Sequence, residues 1–355
     1  MQVTGISPSA GSTQGGTPIA VTGTGFTAGA TITIAGVAAT NVVVTSASSI
    51  TAVAPARSAG SGDVVVSSGG SHAVLPNAFR FIEASTSPNA APVVSAMTVQ
   101  GSRANQPAGM ADLGETVVVT ATVTDAETAP ASLTYQWSAS SGTFSGTGTS
   151  VSWKAPDQLP ETPASVTLTL TLIEEYIEFN AQNVPVTREH RIVSSREVRV
   201  HDSAEEVRAK ARKFLLAFSD SSVPTSTVLA DFSDSCGGKA SEEFDVNRNR
   251  CVFTINTSTV GDATPTVAFD GVCPFRGRRA DACVVIPVRW ESTVRADANS
   301  CPLNDTGLAP GTSDVADGQD QVTAVYEQGD WKLCHSDFLP ADADPSRFER
   351  VWSWP

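Results

Sequence analysis

The feature that most constrains the fold is a series of short segments in which apolar and polar residues alternate, separated by glycine and proline. It is clearest in residues 15–36, GGTPIAVTGTGFTAGATITIAG. Residues 23–28 fit the loose glycine pattern of dinucleotide-binding loops, which present backbone N–H groups at a helix start. Residues 30–35, which follow, instead alternate with period two and are rich in β-branched residues, as a strand requires. The glycines therefore predict turns of a β-sheet and no phosphate site.

Length and charge indicate several domains. A chain of 355 residues corresponds to two or three domains of ordinary size. Residues 1–85 contain two basic and two acidic residues, residues 86–201 six and eleven, and residues 202–355 fifteen and twenty-four, which together give the net charge of −14. Because the pI is near 4.7 and the one basic cluster is the short run 276–279, the composition argues against a nucleic-acid partner.

The six cysteines all lie in the last third of the chain, and none is in a C-x-x-C pair. An even number confined to one region predicts up to three disulfides formed in an oxidising compartment, and disfavours zinc. Six cysteines allow 15 pairings; we consider Cys273 with Cys283 and Cys301 with Cys334. The cysteines are Cys236, Cys251, Cys273, Cys283, Cys301 and Cys334.

Localisation follows from the same residues. The sequence shows neither an apolar run long enough to cross a bilayer nor the charged and apolar regions of a signal peptide. Because the cysteines favour export, we expect an extracellular or cell-surface protein whose signal sequence is absent from this chain.

Residues 1–84 predict a small β-sandwich. Seven short strand-like runs, at 2–7, 17–23, 29–35, 41–45, 49–54, 62–68 and 78–83, are separated by Gly, Pro and Ser. The module resembles the IPT/TIG family of immunoglobulin-like (Ig-like) domains, which implies a structural or adhesive unit without catalytic residues. The matching positions are Ile6-Ser-Pro8, Gly11, Gly15-Gly16-Thr17, Val21, Gly23, Gly25-Phe26, Pro55, Val64-Val65-Val66 and Phe79.

Residues 92–201, after a proline-containing linker at 84–92, predict a second sandwich. The runs 116–125 and 165–172 alternate cleanly, and the segments around Tyr135-Gln-Trp137, Phe144 and Trp153 resemble PKD-type bacterial Ig-like repeats. Trp137 is predicted to be the buried tryptophan of a central strand. Residues 173–193 depart from that family; they predict either a charged binding loop or a lengthened hairpin that packs against the next module.

Residues 202–355 predict an α+β domain. Ser203 and Glu206 form a capping box before a helix whose apolar residues recur every three or four positions. A short helix near 226–232 and strands at 251–257, 283–291, 321–328 and 331–338 follow, with Gly329-Asp330 as a two-residue turn. This order resembles the NTF2-like (cystatin-like cone) superfamily, although Pro287 and the predicted loop 296–320 depart from it.

The last predicted hairpin suggests a candidate ligand pocket. With a Gly329-Asp330 turn, Tyr326, Trp331, His335 and Asp337 share a face, and in NTF2-like proteins such a face lines a cavity. Tyr326, His335 and Asp337 would be the acid–base groups of an enzyme, but we favour a partly buried His335 without catalysis. The candidate pocket residues are Tyr326, His335, Asp337, Trp331 and Trp290.

Two further segments carry smaller hypotheses. Asp314, Asp317 and Asp320 lack the spacing of a calcium loop and are interpreted as an acidic, solvated loop. The C-terminal aromatics Phe348, Trp352 and Trp354 either pack on their own domain or are interface anchors for another subunit.

The fold class we expect is mainly β and multidomain: two Ig-like β-sandwiches, then a disulfide-linked NTF2-like α+β domain. We expect a surface or adhesion protein, not an enzyme, that acts through protein partners or self-assembly, into an oligomer or filament, with glycan as a further candidate. We expect no cofactor, metal, nucleic acid or membrane span. The alternatives are a ligand-binding or weakly catalytic head on a stalk, and a virion decoration or tail protein.

Overall fold

A computed structural model describes residues 1–85 and 87–341. The chain forms two compact units. The first contains residues 1–95, 122–136 and 171–194, and the second contains residues 96–121, 137–170 and those from 195 onward. These limits divide strands of the middle sheets, so the predicted domain boundaries 84, 92 and 201 stay a prediction.

The N-terminal sandwich, residues 1–82 of the first unit, consists of two sheets with strand orders β1-β3-β7-β6 and β2-β9-β8-β4-β5. All seven predicted strands are present, and β2 and β5 are added to them. The strands are β1 Gln2–Ser7, β2 Ala10–Ser12, β3 Pro18–Thr24, β4 Thr31–Ile34, β5 Val37–Ala38, β6 Thr40–Ser46, β7 Ser49–Val53, β8 Gly60–Ser68 and β9 Ser71–Ile82.

Alternation produces the core of this sandwich. Ile19 and Val21 of β3, and Ile32 and Ile34 of β4, are all buried, whereas the residues between them are not. Gly23 approaches the first strand so closely that a Cβ atom there would lie 2.1 Å from the carbonyl oxygen of Gln2. The glycines thus serve strand packing and turns, as the sequence predicted, and no helix follows them.

The first unit also contains the end of a long hairpin made by β16, Ala164–Phe179, and β17, Pro185–His201. The segment predicted as an excursion is therefore mostly strand. At its tip, the Thr17 hydroxyl donates to the backbone oxygen of Asn183 (2.6 Å), and the Asn183 amide donates to the backbone oxygen of Gly15 (3.3 Å). The lengthened hairpin was the correct alternative, and the contacts at its tip are with the N-terminal sandwich, where the prediction had named the next module.

The middle sheets have strand orders β10-β12-β15-β14 and β11-β17-β16-β13. The fully buried tryptophan is Trp153 on β15, between β12 and β14, and its ring N–H donates to the backbone oxygen of Ser141. The prediction for Trp137 was wrong, because β13 is the last strand of its sheet and this side chain is only partly buried. The remaining strands are β10 Val93–Gln100, β11 Met110–Asp112, β12 Thr116–Thr124, β13 Thr134–Ala139, β14 Thr143–Ser145 and β15 Ser150–Lys154.

The C-terminal region, residues 202–341 of the second unit, packs helices on an antiparallel sheet of order β18-β20-β21-β22, with β19 also paired to β20. The helices are α1 Ser203–Phe218, α2 Thr225–Val228 and α3 Lys239–Val252. The strands are β18 Phe253–Val260, β19 Thr266–Val272, β20 Arg279–Val294, β21 Ser313–Glu327 and β22 Asp330–Pro340.

Two predictions for the helices and one for a loop of the C-terminal region need correction. The N-cap of α1 is Asp202, whose side chain accepts from the Glu205 N–H, while the buried Ser203 hydroxyl donates to Asp112. Helix α3 was not predicted, and it includes Cys251, which had been assigned to a strand. Residues 313–320, predicted as an acidic loop, are the first half of β21 and pair with β20.

The turn of the final hairpin lies one residue earlier than predicted, which shifts the strand pairing by two residues. The turn is Gln328-Gly329, both with positive φ, so Tyr326 pairs with Trp331 and Ala324 with Leu333. A β-bulge then places Thr323 opposite His335, so that Cys334 has no residue opposite it on β21. His335 and Asp337 therefore lie on the opposite face of the sheet from Trp331 and Leu333.

All six cysteines are paired in the structure. The pairs are Cys236–Cys334, Cys251–Cys301 and Cys273–Cys283. The prediction for Cys273 with Cys283 is confirmed, and that for Cys301 with Cys334 is wrong. Helix α3 explains the difference, because its C-terminal turn holds Cys251 beside Cys301 in a small buried cluster with Val252 and Val294.

Candidate functional site

The candidate site lies where one face of the C-terminal sheet changes from apolar to polar side chains along its strands. Near the final hairpin this face is apolar and packs on α1, with Val284 and Ile286 of β20 fully buried. Toward the other end, the same alternation brings polar side chains to the same face. A pocket of about 380 Å³ opens there, between the sheet and helices α1 and α3. The residues of this face that line it are Trp290, Ser292, Asp314, Ala316, Asp320, Ser336 and Phe338.

One wall of the pocket is aromatic. The ring of Trp290 lies 5.9 Å from that of Phe218 on α1 and 5.7 Å from that of Phe338 on β22, measured between centroids. The indole N–H of Trp290 is buried and has no hydrogen-bond partner within the described chain. A buried donor without a partner costs about 1 to 3 kcal/mol, so this wall combines apolar surface with one unsatisfied polar group.

Two buried carboxyl groups meet at Ser336. The Ser336 N–H donates to Glu242 of α3 at 2.8 Å, and the Ser336 hydroxyl donates to Asp320 of β21 at 2.6 Å. Burial, and to a smaller extent the charge of Asp337, raise the pKa of Asp320 to about 7. Burial and the nearby Asp320 also raise the pKa of Glu242 well above its usual value. Near neutral pH Asp320 can therefore hold or release a proton.

The loop closed by Cys273 and Cys283 brings guanidinium groups to the pocket. Arg278 makes two hydrogen bonds to Asp337, at 2.5 and 3.0 Å, and Arg276 lies 3.3 Å from the same carboxylate. His335 also lines the pocket, and burial together with the charge of Arg278 lowers its pKa. Asp337 is thus held as an ion-pair partner.

Three of the predicted pocket residues, Trp290, His335 and Asp337, line this pocket, whereas Tyr326 and Trp331 do not. Tyr326 and Trp331 lie beside the turn of the final hairpin, at the apolar end of the sheet face, whereas the pocket opens toward the other end of the strands. Trp331 is fully buried in the apolar core.

Tyr326 belongs to a different set of contacts. Its hydroxyl lies 3.0 Å from Nε2 of the fully buried His201, whose Nδ1 lies 2.8 Å from Glu206. Burial raises the pKa of Tyr326 to about 12. The predicted acid–base set of Tyr326, His335 and Asp337 is therefore not brought together.

Sequence reasoning missed the residues that distinguish this pocket, namely Glu242, Ser336 and Arg278, and it interpreted Asp320 as solvated. Glu242 lies on the helix that was not predicted. Asp320 follows Asp314 and Asp317 in a run that resembles a surface loop. One available signal was spacing. Ser336 and Phe338 are two residues apart in the last strand, as Asp320 and Val322 are in β21, so each polar residue shares a face of the sheet with an apolar one.

Other predicted features have simple outcomes. Phe348, Trp352 and Trp354 lie outside the described residues. Within residues 1–85 and 87–341, no cluster of His, Cys, Asp or Glu could hold a metal ion, and Asp317 pairs with Arg289 on the protein surface. None of the helices in the described parts of the chain is long and apolar enough to cross a membrane.

Comparison with known proteins identifies one part of the chain. No curated protein matches the sequence. Solved structures with some similarity include SGBP-B from a complex xyloglucan utilization locus in Bacteroides uniformis (14% identity, 96% of this chain and 86% of that chain, TM-score 0.19). SGBP-B of the Bacteroides ovatus mixed-linkage glucan utilization locus has 14% identity over 56% of this chain and 45% of that chain (TM-score 0.19).

The plexin A4 extracellular region has 11% identity, covers 55% of this chain and has a TM-score of 0.21. Our chain covers only 21% of that plexin chain. The sequence model of one family, described as IPT/TIG domain, matches residues 1–81. This match agrees with the nine-stranded sandwich and with the residues that predicted it. The N-terminal sandwich is therefore an IPT/TIG domain.

Proposed function

We propose that this chain is an exported extracellular or cell-surface binding protein, in which Ig-like sandwiches form a stalk for a disulfide-linked head. The head is the C-terminal region, for which we keep the NTF2-like assignment as a proposal, together with the PKD-like assignment of the middle sandwich. The observation that carries export is the pairing of all six cysteines in one region. The IPT/TIG domain supports the stalk, since it brings no site of its own.

A thiol count tests export. Protein purified without reductant and denatured should show no free thiols with a thiol-reactive dye, and six after reduction. Reactive thiols in a folded, unreduced protein would contradict it and would favour the virion alternative, which we expected to assemble in a reducing cytosol.

Within this protein, we assign binding to the pocket of the head. A cavity of about 380 Å³ is within the range of small-molecule sites, and its lining combines apolar surface with a few polar groups. We propose capture of a small ligand and no bond chemistry, because the acid–base set that would support catalysis is divided between the pocket and the contact with His201.

A filling variant tests this assignment. Ala316 lines the pocket, while the next residue, Val315, is half exposed. We expect Ala316→Phe to abolish binding of compounds found in a thermal-shift screen of small charged and neutral aromatics, and Val315→Phe to leave it intact. Equal binding by both variants, or no compound bound by the wild type, would contradict ligand capture.

Assembly with protein partners is the second candidate. Two exposed valines, Val37 on β5 and Val43 on β6, lie on the last strands of the two sheets of the IPT/TIG domain. Unpaired edge strands can add a strand from another chain. Light scattering tests self-assembly directly: an oligomer that Val43→Lys dissociates supports it, and a monomer at high concentration contradicts it.

A further inference from the structure

The charges that line the pocket are unbalanced. Three guanidinium groups face six carboxyl groups. Arg248 pairs with Asp305, and Arg276 and Arg278 both pair with Asp337. Four carboxyl groups remain that make no ion pair to any residue in the described ranges: Glu242, Asp245, Asp314 and Asp320.

Two of these four groups are deeply buried. Glu242 is 5% exposed and Asp320 is 4% exposed, and the side-chain hydrogen bonds they make in the described chain are those with Ser336. A buried carboxylate without a cation is costly, because desolvation of the charge is not offset by a partner. A cation placed between them would supply that partner.

The aromatic wall indicates what kind of cation fits. Phe218, Trp290 and Phe338 offer apolar surface, and ring faces attract ammonium groups by cation–π interaction, worth about 0.5 to 2 kcal/mol. A divalent metal ion such as Ca²⁺ or Mg²⁺ instead requires a shell of converging oxygens, which an aromatic wall does not offer. The unsatisfied indole N–H of Trp290 would also donate a hydrogen bond to an oxygen atom of the ligand.

We propose that the pocket binds an organic ammonium ion, with its charged nitrogen beside Glu242 and Asp320 and its apolar part against Phe218, Trp290 and Phe338. This inference rests on the proposed ligand-binding function of the head and names its ligand class. Neutral compounds would leave the carboxyl pair uncompensated, and anions would be repelled by it.

The same geometry predicts a dependence on pH. An ammonium ion favours the ionised carboxyl pair, so its affinity should increase as pH is raised from 5 to 8, with release of protons on binding. The other groups of the pocket do not reverse this sign, since protonation of His335 at low pH adds positive charge. The charged and titratable groups around the pair are Asp245 on α3, Asp314 on β21, His335 and Asp337 on β22, and Arg276 and Arg278 on the disulfide loop.

The test is calorimetric titration of the full chain with three probes of similar size: benzyltrimethylammonium, benzyl alcohol and benzoate. We expect the ammonium probe to bind at least tenfold more tightly than the other two. Glu242→Gln and Asp320→Asn should each weaken it at least fivefold. Asp317→Asn, an exposed position on the same strand, is the matched control and should not change it.

The outcomes separate the inference from the function on which it rests. If benzyl alcohol or benzoate binds as tightly as the ammonium probe, and Ala316→Phe abolishes that binding, the ammonium proposal is overturned while ligand capture is supported. Failure of all three probes to bind would overturn the ammonium proposal, while ligand capture would be overturned only if the thermal-shift screen also finds no bound compound. If the two carboxyl variants do not fold, the affinity of the wild type for the ammonium probe is measured at increasing ionic strength and across pH 5 to 8. The proposal predicts weaker binding at high ionic strength and tighter binding at high pH, and an affinity independent of pH contradicts it.

Discussion

The IPT/TIG domain and the C-terminal region bury different kinds of polar group. In the first, the buried polar side chains are the hydroxyls of Ser12, Thr17 and Ser68. In the second they include the carboxyl groups of Glu242, Asp320 and Asp337, beside three disulfides. A buried hydroxyl is satisfied by a hydrogen bond, whereas a buried carboxylate lowers the stability of the fold unless it is also paired with a cation. The difference agrees with our proposal that the first region is structural support and the second carries the recognition site.

Removing disulfides should separate the two regions most strongly. The Cys236–Cys334 bond spans 98 residues and the Cys273–Cys283 bond spans 10. Chain entropy then predicts that the double variant C236S/C334S loses about 5 kcal/mol of the free energy of unfolding, and C273S/C283S about 3 kcal/mol. Calorimetry should show both losses in the transition of the C-terminal region. A shift of the IPT/TIG transition, or the reverse ranking, would contradict the account.

Removing the buried charge at Asp320 should make the C-terminal region less sensitive to pH. The pKa of this carboxyl group is about 7 when folded and 3.8 ordinarily, so its stabilising contribution is complete below pH 4 and is lost as pH rises through 7. Relative to Asp320→Asn, the wild type should lose about 4 kcal/mol between pH 4 and 8. Chemical denaturation at several pH values measures this. Parallel stability curves for the two proteins would exclude a buried titrating carboxyl.

Two glycine substitutions should each damage one region alone. A Cβ atom at Gly238 would lie 1.9 Å from the backbone oxygen of Cys334, and one at Gly23 would lie 2.1 Å from that of Gln2. We expect Gly238→Ala to destabilise the C-terminal region, and Gly23→Ala the IPT/TIG domain, by about 2 kcal/mol each. Each variant is the control for the other, and loss of both transitions from either change would show that the regions unfold together.

The smallest effect should follow loss of a hydroxyl in the IPT/TIG domain. Thr17 is fully buried and donates to the backbone oxygen of Asn183 at 2.6 Å. Thr17→Val keeps the shape and removes this bond, which should cost about 1 kcal/mol in the first unit. Thr22→Val, at an exposed position, is the control. No difference between these variants would mean that the hairpin tip does not stabilise the sandwich.

The same contrast explains what could be predicted from the sequence. In the IPT/TIG domain, alternation such as Ile19-Ala-Val21 directly reports the core face, and all seven predicted strands are present. In the C-terminal region one face of β21 changes from apolar at Val322 to polar at Asp320. The part of the strand that lines the pocket therefore resembles a polar loop in the sequence. The bulge at Cys334 has no signature in a single sequence, because it is defined by the pairing of His335 with Thr323 on the neighbouring strand. Helix α3 was missed since few of its residues, chiefly Glu242, Val246 and Val252, are buried.

Hydrogen–deuterium exchange with and without benzyltrimethylammonium tests the central claim, that recognition resides in the C-terminal pocket and not in the stalk. The account predicts slower exchange in residues 239–252 and 313–340 when the probe is present, and no change in residues 1–82. Protection within the IPT/TIG domain, or none in α3 and β21–β22 at saturating probe, would contradict it.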